Sequence, residues 1–141
     1  MRLVVDASVA IKWLVEEEGS ETATRLLKGD HELHAPRLMV SEVTNALWRK
    51  ARLGEIERGE AGTLAAAIAE MPLHWYDDEV LGADAARLAL ALDRPVYDCV
   101  YLALAYRIGG QVVTADARLA NALAATEHGR SVGLLGGFAS E

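Results

Sequence analysis

The chain has 141 residues and a mass of 15.2 kDa, the size of one domain. With 52% hydrophobic and 25% charged residues it is no disordered polymer, and it can bury a core without disulfide or metal. A formal net charge of −7 argues against nucleic-acid binding through a general basic field, so any such contact needs a local basic patch or a bound cation.

The single cysteine, Cys99, excludes an intramolecular disulfide and a multi-cysteine zinc site, and it fits a cytoplasmic protein. Only three apolar residues separate Arg2 from Asp6, and Lys12 interrupts the next apolar stretch, so no signal peptide is expected. No run approaches the roughly 18 apolar residues of a membrane span.

In chain order, Arg2 to Val5 reads as a short apolar strand ending at Asp6. Ser8 is placed to cap a helix through Val9, Ile11, Trp13, Leu14 and Val15, closed by Gly19. A short helix follows from Ser20 to Lys28, then a strand from His31 to Ala35. Pro36 suits the first turn of a helix running to Leu53. An alanine-rich helix covers Glu57 to Glu70, and Pro72 to Tyr76 reads as a strand. Asp77 or Asp78 caps a helix whose core stripe is Leu81, Ala85, Leu88 and Leu92. Beyond Pro95, Tyr97 to Ile108 is apolar nearly all round, which predicts a buried helix stopped by Gly109 and Gly110. Gln111 to Thr114 is a strand, Asp116 opens a helix to Ala125, and Ser131 to Leu135 forms a last strand. This alternation predicts an α/β fold with a mainly parallel sheet and helices on both faces.

Four acids keep unusual company. Asp6 directly follows a buried strand, and parallel sheets bind ligands beyond the carboxyl ends of their strands. Glu42 borders the apolar stripe of Met39, Val43 and Ala46, with Asn45 and Arg49 on its side of the helix. Asp98 lies in the first turn of the most apolar helix, and Asp116 follows the strand Val112-Val113-Thr114. Each has an ordinary structural reading, as a helix cap, a dipole partner or an acid satisfied by neighbours. Gathered in one cleft, however, they would repel, and a divalent cation would remove that repulsion. Carboxylate-rich, all-oxygen ligation suits Mg²⁺ or Mn²⁺ rather than zinc. Ser8 and Thr114 are placed to hydrogen-bond these carboxylates, or to cap helices.

Other features point nowhere in particular. Glu16, Glu17 and Glu18 read as a solvated charge run. His31 and His34 would face opposite sides of a strand, and with His74 and His128 distant in sequence no histidine ligand set is expected. Neither Gly109-Gly110 nor Gly136-Gly137 has the spacing of a phosphate or dinucleotide loop. Trp13 and Trp48 are expected in the core, though either could stack on a base or a partner.

Four segments together resemble the PIN-domain family, and within it the VapC-type toxin ribonucleases. They are Val4-Val5-Asp6-Ala7-Ser8, Ser41-Glu42-Val43-Thr44-Asn45-Ala46-Leu47-Trp48, Tyr97-Asp98-Cys99-Val100-Tyr101-Leu102-Ala103-Leu104-Ala105, and Val113-Thr114-Ala115-Asp116. Their order and separation, over nearly the whole chain, carry the likeness. The resemblance implies one PIN-like domain over residues 1–141, an α/β/α sandwich with about five strands. It implies that Asp6, Glu42, Asp98 and Asp116 form a catalytic pocket. There Asp6, Asp98 and Asp116, with Glu42 as a further ligand or water-orienting group, would hold Mg²⁺ or Mn²⁺, with Ser8, Asn45 and Thr114 in support. It further implies an RNA substrate cut to a 5′-phosphate and a 3′-hydroxyl, a cognate antitoxin, and homodimerisation. Lys12, Arg37, Arg49, Lys50 and Arg52 are the candidates for RNA phosphate contacts. Two other readings stay open: a PIN-like binding module without catalysis, and a phospho-receiver domain. The second lacks paired acids after the first strand and a lysine after Lys50.

Overall fold

Residues 1–139 are described in a computed structural model of the chain. Five strands, β1 (Arg2–Val5), β2 (Glu32–Pro36), β3 (His74–Tyr76), β4 (Gln111–Thr114) and β5 (Val132–Leu134), form one sheet in the order β3-β2-β1-β4-β5. Every pairing is parallel. Parallel neighbours require crossover connections, and helices supply them. These are α1 (Ala7–Leu14), α2 (Ser20–Lys28), α3 (Leu38–Arg52), α4 (Ala61–Ala69), α5 (Asp78–Leu92), α6 (Val96–Ile108) and α7 (Ala117–Ala124).

The chain steps outward from β1 to β3, then returns across the sheet to β4. Right-handed crossovers therefore place α1–α4 on one face and α5–α7 on the other. Contacts agree: α1 packs on α2, α3 and α4, while Leu102 of α6 clusters with Leu119 and Leu123 of α7. The result is the expected three-layer α/β/α sandwich. Its strand order reverses between β1 and β4, so a crevice opens at their carboxyl ends.

Leu3, Val4 and Val5 are fully buried, as a central strand covered on both faces must be. Helix α6 crosses β1, β2 and β4, and all of 99–105 is buried, Cys99 included. Gly109 closes this helix in the left-handed region at φ 66°. Gly110 then passes so close to β1 that an added Cβ would lie 2.4 Å from the Arg2 carbonyl oxygen.

Several boundaries differ from the sequence reading. Asp6, not Ser8, caps α1: its carboxylate accepts from the Val9 amide, and the helix ends at Val15, before Gly19. Pro36 does not start a helix. It ends β2 opposite Tyr76, a strand end where its missing N–H is tolerated. Helix α3 then starts at Leu38, whose amide is satisfied from afar by Asp78 Oδ1 at 2.9 Å. Neither Asp77 nor Asp78 therefore caps α5 with its side chain. The alanine-rich segment splits into a 3₁₀ turn at Arg58–Glu60 and α4. The fully buried stripe of α5 is Leu81, Ala85 and Ala89, with Leu88 and Leu92 at its margin. Parallel register also sets His74 opposite His34, a pairing that their separation in sequence hides.

Gly110→Ala should destabilise the chain by about 2–3 kcal/mol, because the methyl group meets backbone rather than a flexible side chain. Urea unfolding should show a lower midpoint with an unchanged slope.

Candidate active site

The crevice beyond β1 and β4 is a cleft of about 690 Å³, and Asp6, Glu42, Asp98 and Asp116 all line it. Asp6 leaves β1 and Asp116 follows β4 by two residues, so adjacent strands deliver both to one edge. Glu42, Asn45 and Arg49 reach the cleft from one face of α3, as the helical spacing predicts. Asp98 enters from the first turn of α6.

A web of hydroxyls fixes the β1 and β4 ends. Ser8 Oγ donates to Asp6 Oδ1 at 2.5 Å and accepts from the Ala115 amide at 2.8 Å. It also lies 3.3 Å from Thr114 Oγ1, which accepts from the Asp116 amide at 3.0 Å. Asp116 Oδ1 in turn caps α7 through the Arg118 amide at 3.0 Å. Asp6 and Asp116 are thus both helix caps and cleft acids at once. The capping bond holds one carboxylate oxygen of each in place.

Burial dominates the electrostatics. Asp6 is only 7% exposed, and desolvation pushes its carboxyl up to about 6, against hydrogen bonds from Ser8, Thr114 and backbone amides. Burial also raises Glu42, and the negative charges of Asp6, Asp98 and Asp78 add to it. Tyr101 opposes that rise. Its hydroxyl donates to Glu42 Oε1 at 2.5 Å, and burial with the adjacent carboxylate keeps the phenol protonated far above its ordinary range. Asp98 meets Arg94, four residues earlier in the chain, whose guanidinium lies 3.2 Å from Oδ2. The site is thus a cluster of carboxylates short of positive charge, with oxygen donors suited to a hard divalent cation.

The PIN domain sequence profile matches residues 3–123. The chain belongs to the PIN domain family. It is 43% identical over 124 residues to Ribonuclease VapC3 of Pyrobaculum aerophilum, covering 85% of this chain and 93% of that one. Two solved structures share the fold. PAE2754 from Pyrobaculum aerophilum aligns over 100% of this chain and 91% of its own, with a TM-score of 0.70 at 23% identity. VapC20 of Mycobacterium tuberculosis, a Sarcin-Ricin loop cleaving toxin, aligns over 85% and 94%, with a TM-score of 0.68 at 16% identity.

In this PIN domain the basic candidates divide. Lys12, Arg49 and Lys50 line the cleft; Arg37 and Arg52 do not. Arg37 pairs with Asp77 at 3.7 Å and covers the Trp75 ring, while Arg52 covers the Trp48 ring at 5.0 Å. Glu17 is no solvated charge. It accepts from Lys12 at 3.1 Å and from Lys50 at 2.7 Å, and it lines the cleft. Burial works against its ionisation, but the hydrogen bonds and charges of Lys50 and Lys12 outweigh it and hold the carboxyl low. Arg49 makes no ion pair among the described residues. Asn45 lines the cleft without a hydrogen bond to the four acids among the described residues. Trp13 packs inward and donates to the Ala23 carbonyl, but Trp48 is 54% exposed, not a core residue. Sequence reasoning missed Tyr101, Arg94 and Glu17. Tyr101 lies three residues after Asp98 on α6, a helical spacing that could have found it, whereas Arg94 lies before that helix and Glu17 is marked by Lys50, distant in the chain.

Asp6 links stability to pH. Its folded pKa near 6 exceeds the unfolded value of 3.8, so the folded state holds the proton more tightly. Its contribution to metal-free stability is therefore fully present below about pH 4 and is lost as pH rises through 6, by at most about 3 kcal/mol. Asp6→Asn keeps the Oδ1 acceptor and removes the charge. It should raise the metal-free melting temperature by several degrees at pH 7.5 and by little at pH 4, in paired thermal scans.

Proposed function

We propose that the chain is a metal-dependent endoribonuclease that hydrolyses RNA phosphodiester bonds, the toxin of a toxin–antitoxin pair. The convergence of Asp6, Glu42, Asp98 and Asp116 on one cleft carries this reading. The 43% identity to a protein named as a ribonuclease supports it. The all-oxygen donor set, with Asp6 raised by burial in the absence of a countercharge, fits Mg²⁺ or Mn²⁺.

When bound, the cation would lower the pKa of an attacking water and neutralise charge on the scissile phosphate. Asp6, Asp98 and Asp116 would hold it, directly or through water. Ser8 and Thr114 keep Asp6 and the turn before Asp116 in position. Tyr101 occupies Glu42 Oε1, leaving Oε2 to orient the water and accept its proton. The water attacks phosphorus, the bond to the 3′ oxygen breaks, and that oxygen takes up a proton. The products are a 5′-phosphate and a 3′-hydroxyl.

Arg49 is the basic cleft residue ready for an RNA phosphate, since Lys12 and Lys50 are engaged by Glu17. Tyr97, 62% exposed at the rim, is placed to stack on a base. An antitoxin segment lying over the cleft could place an arginine among the carboxylates, a geometry for which Arg94 on Asp98 is the internal precedent. Homodimerisation and a cytoplasmic location complete the proposal. No helix among the described residues is long and apolar enough to cross a membrane.

A panel of structured RNAs, incubated with Mg²⁺ or Mn²⁺, tests the reading. The wild type should cleave, chelation should abolish cleavage, and Asp6→Asn should cut at least about a hundredfold more slowly, since even outer-shell changes cost about 10–100-fold. Equal cleavage by wild type and variant would overturn the assignment. Tyr101→Phe removes the bond that holds the Glu42 pKa down. The acid limb of the pH–rate profile should therefore move to higher pH, with the alkaline limb unmoved.

A further inference from the structure

A second cluster of ligating side chains lies away from the cleft. The register of β2 on β3 sets His34 opposite His74, with ring centroids 4.7 Å apart. Glu32, two residues before His34 on the same side of β2, brings Oε1 to 3.3 Å from His34 Nε2. One donor atom from each of Glu32, His34 and His74 lies within 4.8 Å of the other two. None of the three lines the acidic cleft. Glu32 and His74 begin their strands, whereas the cleft acids Asp6 and Asp116 come after theirs.

We propose that Glu32, His34 and His74 form a second cation site, for a transition metal such as Zn²⁺, that clips edge strand β3 to β2. Two imidazoles and one carboxylate are the donor set of an open tetrahedral zinc site, whose fourth position a water fills. The cleft, with oxygen donors alone, selects a harder ion. Spacing fits as well. Two ligands on a tetrahedral zinc, each about 2.0–2.1 Å from it, stand about 3.3–3.4 Å apart. Glu32 Oε1 and His34 Nε2 already have that separation.

His34 is the anchor. It is 5% exposed, so packing fixes its ring with Nε2 turned to Glu32 Oε1. The other two ligands are exposed and adjustable. A metal lies in the plane of each imidazole it binds, so His74 must turn out of the stack, and its place on the edge strand gives it room. The competing cation is weak: Arg2 stands 3.8 Å from Glu32 in a pair more than half exposed on both sides.

Zinc titration of the full chain without a histidine tag, in excess Mg²⁺ to occupy the cleft, tests the site by calorimetry and thermal unfolding. One Zn²⁺ per chain should bind and raise the melting temperature, in wild type and in Asp6→Asn alike. Co²⁺ in its place should give the visible absorption of a four-coordinate ion. His74→Gln, an exposed change, should keep the metal-free melting temperature while weakening Zn²⁺ binding by more than about tenfold. Unaltered Zn²⁺ affinity in both His74→Gln and Glu32→Gln would overturn the proposal. So would Zn²⁺ that binds only in competition with Mg²⁺.

Discussion

Carboxylates converging where two apolar strands end set the terms for everything around them. β1 and β4 are buried on both faces, so the residues that follow them emerge into low-dielectric surroundings. Asp6 emerges there with hydrogen bonds but no countercharge among the described residues, and burial raises its pKa. The web of Ser8, Thr114 and the Ala115 and Asp116 amides prevents the repelling groups from relaxing apart. In the proposed function, the fold itself therefore holds the carboxylates where a cation would need them. The charges are fixed first, and neutralising them later requires little rearrangement.

The positive residues follow the same logic. A chain of net charge −7 that offers a cleft to a polyanion needs cations held at its rim. Lys12 and Lys50 are present, but Glu17 draws both to one side and is itself held ionised by them. Arg49 is thereby singled out as the cleft cation without an ion pair among the described residues. In the proposed function, phosphate contact then depends on one helix face, that of Glu42, Asn45 and Arg49. Reading phosphate and orienting water become tasks of a single rigid element, α3.

The sheet and the acids were legible in the sequence because both follow from periodicity. Apolar runs such as Leu3-Val4-Val5 and Val112-Val113 mark strands buried on both faces, and an acid directly after such a run marks the strand-end edge. The helical spacing of Glu42, Asn45 and Arg49 placed all three on the cleft face. Less legible was whatever depends on partners distant in the chain. Pro36 reads as a helix start until Tyr76 pairs with it in a strand, and Leu38 loses its local cap because Asp78 supplies one from 40 residues away. His34 and His74 meet only through the register of β2 on β3. Arg37 and Arg52 were equivalent to Arg49 as charges, but aromatic rings elsewhere claim them.

Arg94 shows how the proposed site tolerates the metal-free state. Pro95 sits between it and α6 at the N-cap, so Arg94 lies outside the helix whose first turn carries Asp98. From there its guanidinium reaches back to Oδ2 at 3.2 Å. The charge comes from the connection between α5 and α6 rather than from the helix face, and both partners are partly exposed, so the pair is weak. It supplies positive charge beside Asp98 from outside α6. Asp6 has no equivalent, which explains why burial shifts Asp6 so far. Of the four cleft acids, Asp98 thus has an internal countercharge, and Asp6 is the most deeply buried of those without an ion pair among the described residues. In the proposed function, a cation entering the cleft would gain most at Asp6 and would compete with Arg94 for Asp98, leaving that guanidinium to an RNA phosphate.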